Sequence, residues 1–328
     1  MPTIYVTRRI PESGPNLLRE HFTVRQWDSD DVIPRDVLLR EVQDADALLC
    51  LLTEPVNDEL LDAAPNLQVV ANMAVGFDNF DVDALTKRGI IGTNTPEVLT
   101  DTTADLAWTL LMAAARRVVP GYKYVMDGKW TTWGPLLLMG QDIHHATLGL
   151  VGVGRIGAGM ARRAQGFAMR VLYYDVVRRE DLEEELGLEY RDMNTVLRES
   201  DFVSVHTPYM PATHHLISHD QFKLMKKTAV VVNSSRGPVV DSKALYAALS
   251  SGEIDSAGLD VTEPEPIPVD DPLLTLENCL IVPHIASASY QTRNAMSDLA
   301  AQNIAAVLTG KKPPTPVNPD VVAAKGLQ

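Results

Sequence analysis

Three runs of this 328-residue chain end an apolar segment with a group able to do chemistry. Val232-Asn233-Ser234-Ser235-Arg236-Gly237 places an arginine directly after a strand-like run, and open parallel sheets bind ligands beyond the carboxyl ends of their strands. A guanidinium there suits an anionic substrate through a bidentate pair with a carboxylate. Taken alone, Arg236 reads as a solvated loop residue. Gly258-Leu259-Asp260-Val261-Thr262-Glu263-Pro264-Glu265-Pro266 puts acids after a second strand, with prolines on both sides of Glu265 fixing the backbone. Val282-Pro283-His284-Ile285 is a third such end, where a lone histidine is usually structural. Together the three suggest an acid–base centre in which His284 carries the proton and Glu265 orients its ring.

A fourth stretch supplies a different chemistry. Thr147-Leu148-Gly149-Leu150-Val151-Gly152-Val153-Gly154-Arg155-Ile156-Gly157 reads as an apolar strand, a tight turn and the start of a helix. Gly152, Gly154 and Gly157 have the Gly-x-Gly-x-x-Gly spacing, in which the first glycine permits the turn and the second lets a pyrophosphate approach bare backbone. The third lets helix and strand pack closely. Free amides and the positive end of the helix dipole then face the phosphates. Met169 to Tyr174 reads as the next strand and ends at Asp175, eighteen residues after Gly157. That is close to the roughly 20 expected of an acid binding the adenosine ribose hydroxyls.

Short strands and helices alternate along the rest of the chain, which implies parallel sheets. Before the glycine motif, strands are expected at 4–6, 24–27, 47–52, 67–71 and 89–92, with helices at 16–21, 34–42, 58–63 and 82–88. A long helix follows from Asp101 to Val118, closed by Pro120 and Gly121. Its near all-round apolar surface points to burial between domains or subunits. A looser segment, Lys129 to Pro135, carries Trp130 and Trp133. After Asp175 come helices at 178–186 and 193–198, a strand at 202–206, a helix ending at 223–227, a strand at 229–233 and a helix at 242–251. Strands at 254–261 and 280–282, a helix at 289–308 and a proline-rich tail complete the pattern. On the charged helix from Arg178, pairing of Arg178 with Asp181 and of Arg179 with Glu183 is expected.

Composition narrows the function classes. The length exceeds one ordinary core, so two domains are expected. With 45% hydrophobic and 22% charged residues, the chain reads as soluble and globular. A net charge of −14 disfavours nucleic acid or an anionic membrane as partner. No apolar run reaches the ~18 residues of a membrane span, and no signal pattern precedes the first strand, so a cytoplasmic location is expected. Cys50 and Cys279 read as buried reduced thiols. Asn233-Ser234-Ser235 matches a glycosylation sequon by coincidence, and His144-His145 reads as a surface loop rather than a metal site, so no metal is expected.

The chain resembles the D-isomer-specific 2-hydroxyacid dehydrogenases, and more narrowly their glyoxylate/hydroxypyruvate reductase branch. The resemblance is carried by Ala74-Val75-Gly76-Phe77-Asp78-Asn79-Phe80-Asp81, Asn94-Thr95-Pro96-Glu97-Val98-Leu99-Thr100-Asp101, the glycine motif and the three strand ends above, in family order over roughly residues 45 to 310. It implies an α/β fold of two doubly wound parallel-sheet domains, a Rossmann dinucleotide-binding domain (100–289) inserted into a flavodoxin-like substrate domain (1–99 and 290–328).

The resemblance also implies roles. Arg236 holds the substrate carboxylate and carbonyl, His284 is the general acid/base and Glu265 is hydrogen-bonded to it. The Val75 and Gly76 amides bind the substrate carboxylate from the first domain, Leu52 lies near the substrate side chain, and Trp133 enters the partner subunit's site in a homodimer. Gly152, Gly154, Arg155, Ile156, Gly157, Asp175, His206, Thr207, Pro208, Ser235 and Asp260 bind the cofactor, Asp260 at the nicotinamide carboxamide. Thr262 departs from the family, standing where an aromatic is common, and His144-His145-Ala146 replaces a Gly-Lys pair. Val75, with no lysine beside it, argues against phosphite oxidation. The expected activity is reduction of glyoxylate or hydroxypyruvate, with NAD(H) preferred over NADP(H) because Asp175 repels a 2′-phosphate. A reductase for a larger 2-keto acid such as 2-ketogluconate, or a dinucleotide-sensing scaffold, are the alternatives.

Overall fold

The computed structural model describes all residues, 1–328, as two compact units, Met1–Leu99 with Ala288–Gln328 and Thr100–Ser287. The first unit alternates β1 (Thr3–Val6), α1 (Ser13–Arg19), β2 (Thr23–Gln26), α2 (Arg35–Glu41), β3 (Ala47–Cys50), α3 (Asp58–Ala63), β4 (Val69–Asn72), α4 (Val82–Lys87) and β5 (Ile91–Thr93). All its strand pairs are parallel, in the order β2-β1-β3-β4-β5, the flavodoxin-like arrangement. Strands β3 and β4 are buried on both faces, hence the apolar runs Ala47–Cys50 and Val69–Ala71.

The second unit opens with α5 (Thr100–Ala115) and α6 (Val118–Met126). It continues through β6 (Thr147–Val151), α7 (Arg155–Gln165), β7 (Arg170–Tyr174), α8 (Glu180–Leu186), β8 (Glu189–Tyr190), α9 (Met193–Glu199) and β9 (Phe202–Val205). It closes with α10 (His219–Leu224), β10 (Val230–Asn233), α11 (Ser242–Ser251), β11 (Ser256–Leu259) and β12 (Cys279–Ile281). The sheet is parallel throughout, in the order β12-β11-β10-β9-β6-β7-β8. Strand order therefore reverses between β6 and β9, the switch point at which such sheets bind dinucleotides. Phe202 of β9 and Phe222 of α10 are fully buried in its core, each stabilising by roughly 1.5–3 kcal/mol. The chain then returns to the first unit, where α12 (Tyr290–Leu308) packs on α1, β3 and β4, and α13 (Pro319–Ala324) packs on β5.

Several sequence expectations are corrected. The helix expected to run to Val118 ends at Ala115, because Arg117 takes a left-handed conformation and the Ala115 carbonyl accepts the Gln141 amide instead. Pro120 does not close it but sits in the first turn of α6, where a missing N–H costs nothing. The small residues of this helix serve close packing inside the unit, on α7, β10 and β11. A Cβ on Gly159 of α7 would lie 2.9 Å from that of Ala104, and one on Gly258 of β11 would lie 3.0 Å from that of Leu110. The helix expected to end at Lys223–Lys227 does end within that span, at Leu224. The proline-rich tail contains α13, with Pro319 as its first residue. Cys50 is buried and Cys279 partly so, both free. No helix is long and apolar enough to cross a membrane.

Candidate active site

The glycine motif turns between β6 and α7. Gly152 has φ +88°, and a Cβ there would meet the His206 carbonyl at 3.0 Å and Thr207 Cγ2 at 2.9 Å. At Gly157 a Cβ would meet the Gly152 carbonyl at 2.6 Å, so α7 can approach the strand only without one. A Cβ on Gly154 would meet nothing, and its backbone faces open space at the helix N-terminus beside Arg155 and Ile156.

Asp175 follows β7 and folds back on this turn. Its carboxylate accepts the Val153 amide at 2.7 Å and the Val177 amide at 3.3 Å. The Val153 carbonyl in turn accepts Arg179 Nη1 at 2.9 Å. The expected pairings of the two arginines are exchanged. Arg178 holds Glu183 at 2.8–2.9 Å and Arg179 holds Asp181 at 2.6–2.8 Å. The reason is that α8 begins at Glu180, so both arginines precede it and helical spacing does not govern them.

Across the switch point, residues 206–208 follow β9. Ser204 Oγ lies 2.8 Å from His206 Nε2, and burial drops the imidazole to about 4, leaving it neutral. His206 Nδ1, Thr207 Oγ1 and Ser234 Oγ are buried with no hydrogen-bond partner. Unsatisfied buried polar atoms are rare, and three at adjacent strand ends mark a place where a polar ligand completes the bonding. With the bare Gly154 backbone, they fit a dinucleotide laid across β6 and β9.

The polar strand ends of β10, β11 and β12 position the acid–base groups. Asn233, 1% exposed, closes β10; its Oδ1 accepts the Ser235 amide and hydroxyl, and its Nδ2 donates to the Arg236 carbonyl at 2.9 Å. That turn presents the half-buried Arg236 and rules out a glycosylated Asn233. Asp260, 1% exposed, accepts the amides of Ile285 (2.7 Å) and Ala286 (3.0 Å), while its own carbonyl accepts the His284 amide at 2.9 Å. Burial raises the Asp260 carboxyl above its usual range, with those amides and His284 opposing. Each oxygen keeps a second lone pair for a further donor. So held, His284 sits at φ 52° with Nδ1 2.5 Å from Glu265 Oε1. Burial pushes the Glu265 carboxyl up, but the hydrogen bond and charge of His284, aided by Arg236, outweigh it and hold the group below the usual range. Arg236, Glu265 and His284 thus form one electrostatic cluster. Thr262 is buried and donates its hydroxyl to the Pro264 carbonyl at 2.8 Å.

In the first unit, Leu52, Val75 and Gly76 lie in loops after β3 and β4, partly exposed. The carbonyls of Ala74, Val75 and Gly76 are tied from behind by the Thr95 amide (2.7 Å), Asn94 Nδ2 (2.7 Å) and Asn72 Nδ2 (2.8 Å). The Val75 and Gly76 amides donate to no acceptor in the chain. Two adjacent amides without an acceptor in the chain are available to an anionic group. Asn79 fixes the other loop by donating to the Leu51 and Glu54 carbonyls, both at 3.0 Å. Sequence reasoning missed Asn72, Asn79 and Asn94 as positioning groups. The one readable signal is a polar residue closing an otherwise apolar strand, as Asn72 and Asn233 do. Trp133 lies outside any helix or strand and is 79% exposed.

Comparison with known proteins adds to this geometry. The family model described as D-isomer specific 2-hydroxyacid dehydrogenase, NAD binding domain, matches residues 108–286. A glyoxylate reductase of Korarchaeum cryptofilum is 54% identical over 325 residues, covering 99% of this chain and 98% of that protein. A Thermus thermophilus crystal structure superposes with a TM-score of 0.91 at 42% identity, covering 96% of this chain and 99% of the other. An NADPH-dependent glyoxylate/hydroxypyruvate reductase from Sinorhizobium meliloti does so with 0.84 at 34% identity, covering 97% and 98%.

Proposed function

The chain belongs to the D-isomer specific 2-hydroxyacid dehydrogenase family, and from that premise we propose that it reduces a small 2-keto acid, glyoxylate or hydroxypyruvate, to the D-2-hydroxy acid. The observation that carries the reading is the His284–Glu265 pair beside Arg236, at strand ends of a dinucleotide-binding sheet. The nicotinamide cofactor, when bound, supplies the hydride. Gly152, Gly154, Arg155, Ile156, Gly157, Asp175, His206, Thr207, Pro208, Ser235 and Asp260 hold that cofactor.

The chain's own residues do the rest. The Val75 and Gly76 amides hold the substrate carboxylate, with Leu52 near its side chain. Arg236 pairs with the carboxylate and draws electron density from the keto oxygen. As negative charge develops there, His284 delivers a proton, and Glu265 stabilises the imidazolium and fixes its orientation. Positioning supplies much of the acceleration.

Two finer readings belong to the proposal. NADH is preferred to NADPH, supported by the carboxylate of Asp175 and by the prior engagement of Arg178 and Arg179. The protein acts as a homodimer through Trp130, Trp133, Leu136 and Met139 with the outer face of α6, where Tyr122 and Met126 are exposed. The support is that these large apolar side chains lie open to solvent, Trp133 at 79% and Leu136 at 77% exposure, and clustered exposed apolar side chains mark protein–protein contacts. The test of the activity is NADH oxidation with a panel of glyoxylate, hydroxypyruvate and a keto sugar acid, read as kcat/KM. Turnover highest with the two small acids is expected, and no turnover with any of the panel overturns the reading.

A further inference from the structure

A second cluster lies in the same unit, made by the loop after β9 and the loop after β11. His215 Nε2 is 2.7 Å from Glu263 Oε2, and His214 stacks on His215 with ring centroids 3.9 Å apart. One donor atom from each of His214, His215 and Glu263 falls within 4.8 Å of the others. The arrangement does not follow from chain direction. Neighbouring side chains on an extended backbone point to opposite sides. Here His215 adopts φ 51°, uncommon for a residue other than glycine, and both rings are turned to one side, toward Glu263. His215 is anchored there by its amide, which donates to the Pro238 carbonyl at 2.7 Å, and Glu263 by its carbonyl, which accepts the Ser242 hydroxyl at 3.2 Å.

The surroundings extend the pattern. Imidazoles that bind metal almost always direct the second ring nitrogen toward a carboxylate or carbonyl, which fixes the tautomer. His215 Nδ1 faces Asp241 Oδ2 at 3.8 Å, and Asp241 is itself locked at the start of α11 by Lys243, Ala244 and Ser218. The donor set of two imidazoles and a carboxylate suits zinc and its neighbours rather than magnesium or calcium, which take oxygen ligands. Metal–ligand bonds of about 2.0–2.2 Å place neighbouring donors roughly 3.3 Å apart around a tetrahedral ion. The 2.7 Å pair therefore has to open slightly and the exposed His214 ring to swing in, both small side-chain movements.

We propose that His214, His215 and Glu263, with Asp241 behind His215, form a binding site for one divalent transition-metal ion of the zinc class. The site is separate from Arg236, Glu265 and His284. It joins the loop that follows His206 to the loop that carries Glu265 two residues after Glu263, so occupancy braces the strand-end loops against each other and stabilises the fold by linkage.

The experiment titrates the chelator-treated full chain with Co²⁺, followed by visible absorption, and with Zn²⁺, followed by calorimetry and thermal unfolding. One ion per chain, tetrahedral cobalt bands and a raised Tm are expected. His214→Ala and Glu263→Gln should each weaken binding by at least about tenfold, the smallest loss that outer-shell changes cause at such centres. The surface pair His144 and His145 is the control. Its double alanine variant should bind as the parent does, and loss of binding there with retention in His214→Ala would overturn the assignment. Absence of cobalt bands in the folded parent chain would overturn it outright. Circular dichroism of each variant separates lost binding from lost fold.

Discussion

Asn94 donates its side-chain amide to the carbonyl of Val75 at 2.7 Å, across nineteen residues of sequence. The asparagine is held in turn by the returning C-terminal segment, since the Thr315 hydroxyl donates to its carbonyl at 2.6 Å and Asn303 donates to that hydroxyl at 2.8 Å. The carbonyls of residues 74–76 are all tied down, while the Val75 and Gly76 amides have no acceptor in the chain. In the proposed reaction they bind the carboxylate of substrate and transition state alike. Asn94→Ala should therefore raise KM for the keto acid about three- to tenfold, the worth of one hydrogen bond's orientation, with kcat little changed. A fall in kcat at constant KM would assign the loop to the chemical step instead.

His284→Ala should lower kcat by about 10²–10⁴-fold, the usual contribution of a positioned acid, while cofactor affinity survives. A variant that keeps more than about half its activity would remove His284 from the proton path. The pH trends follow from the direction of transfer. Reduction needs the protonated ring and should decline as pH rises; oxidation of the hydroxy acid needs the free base and should decline as pH falls. Because the folded-state Glu265 carboxyl is held below its ordinary value of 4.5, its contribution to stability is present above that value and is lost as pH falls through the lowered one. Glu265→Gln should flatten this acid limb in urea midpoints measured between neutral pH and about pH 3.

Light scattering at micromolar concentration should return a dimer, and Trp133→Ala should shift it toward monomer at dilution without lowering the Tm of the separated chain. The apolar helix α5 no longer argues for this, since it is covered inside its own unit. The exposed Trp130, Trp133, Leu136 and Met139 do. A parent chain that runs as a monomer would refute the assembly.

What was legible in the sequence was whatever local spacing encodes. The glycine turn, Asp175 at the end of β7, and the strand ends before Arg236 and His284 depend on residues adjacent in the chain. The structure departs where the deciding contact is distant. The break at Arg117 rests on the Gln141 amide reaching back to the Ala115 carbonyl. Asn94 acts on Val75 from nineteen residues away. The grip of Asp260 on residues 285 and 286 spans 25 residues or more. Two-residue β8 has too little pattern to read, and it exists because it pairs with β7.

The cofactor preference turns on Asp175, Arg178 and Arg179, two of which grip the backbone of Val153. Asp175 accepts the Val153 amide, and Arg179 donates to the Val153 carbonyl, so the carboxylate and the guanidinium are both fixed at the turn beside which the adenosine ribose is proposed to lie. A 2′-phosphate would add a second anion next to Asp175, and like charges in a partly buried space repel. Relief would have to come from Arg178 or Arg179. Arg178, however, is bidentate with Glu183 and lies over the Tyr190 ring, and Arg179 is bidentate with Asp181. Recruiting either one breaks two charge-assisted hydrogen bonds. NADH should therefore be preferred by at least about tenfold in kcat/KM, a difference of about 1.4 kcal/mol. Asp175→Ser should narrow or invert the ratio by removing the repulsion, and adding Asp181→Asn, which frees Arg179, should move it further toward NADPH. Equal use of both cofactors by the parent chain would mean that the arginines leave their carboxylates for the phosphate more readily than these pairings imply.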